Sequence, residues 1–63
     1  MEFDAVVRRV RAEFLEMPGL RVTMPQAARL WGLETAMCEA VIESLVRSHF
    51  LQRSTAGHIM RAA

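Results

Sequence analysis

Apolar residues recur every three or four positions from Phe3 to Met17, at Phe3, Val6, Val7, Val10, Phe14 and Met17. That spacing marks one stripe of an amphipathic helix. The opposite side carries Asp4, Arg8, Arg9, Arg11, Glu13 and Glu16. Asp4 with Arg8 and Arg9 with Glu13 lie four positions apart, so this face is expected to neutralise itself. Pro18-Gly19 predicts the stop, because proline cannot continue the hydrogen-bond ladder and glycine accepts the left-handed backbone of a helix exit. Leu20-Arg21-Val22 then alternates apolar, polar, apolar and reads as a brief strand.

Thr23-Met24-Pro25-Gln26 has the spacing of a capping box, with proline in the first turn where a missing N–H costs nothing. A second helix is therefore predicted over Met24 to Trp31, with Ala27, Ala28 and Trp31 on one side and Gly32 as its exit. A third helix is predicted over Glu34 to Ser48, with Cys38, Val41, Ile42, Leu45 and Val46 as its apolar stripe. Glu34, Glu39 and Glu43 lie off that stripe. Phe50 to Arg53 and His58 to Arg61 are short extended runs around Ser54-Thr55-Ala56-Gly57, a hairpin pattern with glycine at the left-handed position.

Length and composition then narrow the picture. Sixty-three residues make one domain at most, spanning 1–63, and a chain of this size has no room for a large cleft. With 52% hydrophobic and 24% charged residues it is expected to fold. It has no run approaching the roughly 20 apolar residues of a membrane helix. The acidic start Met1-Glu2-Phe3-Asp4 also lacks the basic lead of a signal peptide, so the expectation is a soluble, cytoplasmic protein. A single cysteine and no Cys/His spacing of a zinc site give no expectation of a metal or cofactor. The net charge is only +1, and all eight basic residues are arginine, so charge alone does not announce a nucleic-acid partner.

The most informative stretch runs from Ala27 to Val41: small Ala28, Gly32 four later, apolar Leu33, then Cys38 and Val41. Two helices that approach closely need a small side chain at the contact and a sharp turn between them. Together with the brief strand and the hairpin, and with Leu45-Val46-Arg47-Ser48-His49-Phe50-Leu51-Gln52-Arg53 followed by Gly57, the chain resembles a winged helix-turn-helix domain over nearly its whole length. The resemblance implies a mainly α fold with a small antiparallel β sheet, three helices plus a β-hairpin wing. It also implies a DNA-binding or transcription-regulator-like module. Two departures are visible: His49 stands where the family commonly has glycine, and Glu34 where it has Ser, Thr or Asp, so both caps should be weaker.

If double-stranded DNA is the partner, its phosphates are expected to meet Thr23, Gln26 and Arg29 around the second helix, Thr35 on the third, and Arg53, Ser54, Thr55, His58 and Arg61 on the wing. The outer side of the third helix offers Thr35, Ala36, Glu39, Ala40 and Glu43, and two carboxylates facing a polyanion oppose direct readout of bases. The alternative is a protein-interaction module, in which Met24, Leu30, Glu39 and Glu43 meet a basic protein or a second copy in a homodimer. Leu30 is either part of that surface or tucked under the first helix. Cys38 and Trp31 fall on core positions, and neither His49 nor His58 has a third group to orient it. The chain is thus read as no enzyme.

Overall fold

The computed structural model describes residues 2–62. Three helices, α1 (Phe3–Glu16), α2 (Met24–Trp31) and α3 (Thr35–Arg47), are followed by strands β1 (Leu51–Arg53) and β2 (Ile59–Arg61). The strands pair antiparallel, Leu51 opposite Arg61 and Arg53 opposite Ile59. The fold is mainly helical with a small two-stranded sheet, as the periodicity predicts.

The expected strand at Leu20 to Val22 shrinks to a single bridge. Val22 and Ile59 exchange both backbone hydrogen bonds, at 3.1 and 2.7 Å, so the segment adds one residue to the free side of β2. Three residues between the Pro18-Gly19 turn and the Thr23 cap leave no length for more. Gly19 does not adopt positive φ either. The helix ends instead at Met17, whose N–H returns to the Glu13 carbonyl at 3.0 Å.

One cluster of buried side chains joins every element: Val6, Val10 and Phe14 from α1, Ala27 and Trp31 from α2, Cys38, Val41, Ile42 and Leu45 from α3, with Val22, Leu51 and Ile59 from the extended segments. The hub is α3, which packs on α1, α2 and β1. Phe14 and Trp31 meet with ring centroids 5.8 Å apart and planes tilted by 55°, which ties α1 to α2. Ala27, rather than Ala28, is the wholly covered alanine of α2. Phe3 and Met17, at the two ends of the predicted α1 stripe, are only partly covered, at 37% and 44% exposure, with Phe3 beside Ala40 and Ser44 of α3. Neither Asp4 with Arg8 nor Arg9 with Glu13 forms an ion pair among the described residues.

Helices α2 and α3 stop in the same way. After α2, the Leu33 N–H donates to the Ala28 carbonyl (2.9 Å) and the Gly32 N–H to that of Arg29 (3.4 Å). After α3, the Phe50 N–H donates to Leu45 and the His49 N–H to Val46, both at 3.0 Å. Each is a Schellman exit, which needs a left-handed residue at its corner. Gly32 takes that role at φ 64°, and His49 takes it at φ 65°. A side chain in this conformation costs roughly 1–2 kcal/mol, partly offset by the greater freedom that glycine has in the unfolded chain. His49→Gly should therefore stabilise the protein by about 0.5–1 kcal/mol in urea unfolding followed by circular dichroism. An unchanged or lower midpoint would contradict this reading of the corner.

Candidate functional site

The start of α2 is built as the sequence predicts. The Thr23 N–H donates to Gln26 Oε1 at 2.9 Å, and the Gln26 N–H donates to Thr23 Oγ1 at 3.3 Å. This closed capping box has a consequence for anion binding. A helix N-terminus holds a phosphate with its free N–H groups. Here Pro25 has none, the Gln26 N–H is taken by Thr23, and the Ala27 N–H is taken by the Thr23 carbonyl. Thr23 and Gln26 thus serve the helix first.

Beside this helix start, Met24, Ala36, Glu39, Ala40, Glu43 and Arg53 line an open groove of about 610 Å³. Its floor follows from sequence spacing: Ala36 and Ala40 lie four apart on the side of α3 away from the core, and their methyl-sized side chains leave a shallow trough. Met24 closes one end and also anchors it, because Cys38 Sγ donates to Met24 Sδ at 3.6 Å. Burial, with a lesser contribution from the Glu39 charge, pushes the Cys38 thiol up, so this sulfur is a neutral packing group.

The charges along the groove are unevenly used. Glu43 accepts from Arg53 Nη2 at 3.1 Å across to the hairpin, and lies 3.5 Å from Arg47 Nε one turn along α3. Pairs this exposed contribute little stability, about 0–1 kcal/mol, but they set where the arginines point. The hairpin arginine expected to reach phosphate is thus turned onto an acidic helix. Glu39 has no ion-pair partner among the described residues.

The remaining wing positions are partly spent as well. Ser54 Oγ accepts from the His58 N–H at 3.1 Å, while the Ser54 N–H donates to the His58 carbonyl at 2.8 Å, closing the turn at Gly57 (φ 86°). His58 Nδ1 and Arg61 Nε are buried, facing into the protein. The guanidinium carbons of Arg61 and Arg11 each lie 4.7 Å from the centre of the Phe50 ring. Each such stacking is worth about 0.5–1 kcal/mol, so Arg61 is held by the body of the protein. Thr55 and Arg29 are exposed, as is Thr35 at the start of α3.

A different surface gathers around Leu30, which is 52% exposed rather than tucked under α1. Arg21, Val22, Gln26, Arg29 and Leu30 line a second depression of about 480 Å³. Neither Arg21 nor Arg29 is ion-paired among the described residues. Arg21 is a residue that sequence reasoning placed on the brief strand but did not single out, since its neighbours Arg29 and Leu30 come from another element. The Arg53–Glu43 contact was equally hidden, because it spans ten positions and two elements.

Comparison with protein-family models, with curated proteins and with solved structures finds no match. No helix among the described residues is long and apolar enough to cross a membrane, and none of their His, Cys, Asp and Glu side chains gather in threes as a metal site would require.

Proposed function

We propose that the chain is a protein-interaction module whose α3 groove takes an arginine-bearing segment of a partner. The observation that carries this reading is the groove itself: an apolar floor of Met24, Ala36 and Ala40, a carboxylate at Glu39 with no ion-pair partner among the described residues, and a single lining cation already bound to Glu43. Along that lining the two carboxylates outnumber the one arginine. A phosphate backbone entering there meets net repulsion, whereas a guanidinium finds a carboxylate and its methylene stem finds apolar surface.

Duplex DNA is the second reading. It is supported by the pair of helices joined through Gly32 beside a hairpin, the arrangement of the winged helix-turn-helix resemblance, and by the exposed Thr35, Arg29 and Thr55. Fold likeness of that kind is a weak warrant for function.

Titrating the ¹⁵N-labelled chain with a peptide of alternating arginine and leucine tests the first reading. Amide shifts should concentrate on Ala36, Glu39 and Ala40, and Glu39→Gln should weaken binding by about fivefold, the effect of one exposed charge pair. Shifts absent from α3, or an affinity indifferent to Glu39, would overturn it.

A further inference from the structure

The Leu30 surface and the α3 groove complement each other in charge. One presents a half-exposed leucine flanked by two arginines, with no carboxylate in its lining. The other presents a trough floored by methionine and alanines, with Glu39 and Glu43 along it. Met24 belongs to the groove and Leu30 to the other surface, and six positions along one helix put them about 120° apart around its axis. The two surfaces therefore face different ways and do not meet within one chain.

A two-fold contact can pair the unlike surfaces only by engaging both surfaces of each copy at once. A head-to-tail contact engages one surface of each copy and leaves the other open, and surfaces about 120° apart around α2 suit it. We propose that the chain associates with further copies of itself in this manner, Leu30 of one copy seated on the Met24, Ala36 and Ala40 floor of the next, with Arg21 and Arg29 facing Glu39 and Glu43. This rests on the reading of the α3 groove as a protein-docking surface and names its occupant.

The contact is weak by size. A standard interface takes about 800 Å² from each partner, which is a large share of a chain whose whole accessible surface is 4172 Å². Association should therefore build up with concentration, and fall with salt because both flanks are charged. Leu30 and Ala40 are both exposed, so substitutions there leave the core intact.

Sedimentation velocity over about 10 μM to 1 mM protein at low ionic strength is the experiment. The unaltered chain should pass beyond dimer without a plateau. Leu30→Asp and Ala40→Trp should each stay monomeric, the first having lost the leucine and the second the trough. An equimolar mixture of the two has one intact groove and one intact Leu30 surface, so it should associate and stop at dimer. An unaltered chain that stays monomeric, or that stops at dimer, would overturn the proposal, as would a mixture that stays monomeric. Should the chain be monomeric while the arginine peptide still shifts Ala36 and Ala40, self-association alone fails. If that peptide also fails, the docking reading falls with it. Binding of an acidic, leucine-bearing peptide at Arg21 and Leu30 to a chain that remains monomeric would assign the surface to another protein and overturn self-association.

Discussion

Phe14→Ala should leave little folded protein at 37 °C, and at lower temperature it should cost about 3–5 kcal/mol in urea unfolding. The reasoning is one of proportion. Phe14 is fully buried and joins α1 to Trp31, so truncation removes a large apolar area and leaves a void that a small core cannot close. A chain of this size commands only about 3–9 kcal/mol in total, so the loss is comparable with the whole. Phe3→Ala is the matched control. It removes the same side chain from a 37% exposed position at the start of the same helix, and should cost clearly less, about 1 kcal/mol. Similar losses for both variants would mean that α1 docks in a different phase from the one described.

The second large effect is electrostatic. Replacing Glu39 and Glu43 together by arginine should raise affinity for duplex DNA by about thirtyfold or more at 0.15 M salt. Each new phosphate contact displaces about 0.9 of a counterion, which at that salt is worth roughly fivefold, and two contacts multiply. Removing the two carboxylates adds to this, and releases Arg53 from Glu43. The double variant should also steepen the slope of log affinity against log salt by about two contacts' worth. Fluorescence anisotropy with a labelled duplex reads both quantities. An unchanged affinity would mean that α3 stays away from nucleic acid whatever its charge, and the acidic groove would then not be what keeps DNA out.

Much of this architecture could be read from residue order because its signals are local. The Thr23 and Gln26 capping box, the bounds of α2, the left-handed Gly32 and Gly57, and the buried stripe of α3 each depend on residues within a turn or two of one another. At His49 a weaker exit is expected from the residue type, and the residue takes the left-handed corner at φ 65°. The misreadings came where a neighbour decides. Periodicity assigned Phe3 and Met17 to the core, yet the packing leaves Phe3 37% and Met17 44% exposed. Gly19 had the composition of a left-handed exit, but the turn closes through the Leu20 N–H to the Met17 carbonyl instead.

The candidate site was less legible than the fold, for the same reason. Glu39 and Glu43 could be placed on one helix face from spacing alone, but the groove depends on the hairpin lying beside that face. Residue type named Arg53, Arg61, Ser54 and His58 as phosphate contacts. Position gives three of them a prior engagement, Arg53 with Glu43, Arg61 with Phe50, and Ser54 with the backbone of His58, and buries Nδ1 of the His58 ring. Arg21, unremarkable in sequence, becomes a cation beside Leu30, without an ion-pair partner among the described residues, only when the segment after α1 turns back toward β2.

The most direct test of the central claim, that the α3 groove receives protein and repels nucleic acid, is a titration of the unaltered chain with duplex DNA at low salt, read by ¹⁵N amide shifts. The account predicts no shifts at Ala36, Glu39 and Ala40, because the groove is lined by two carboxylates and a single arginine that Glu43 already holds. Saturable micromolar binding with those three amides shifting, and an affinity falling linearly with salt on logarithmic axes, would contradict it.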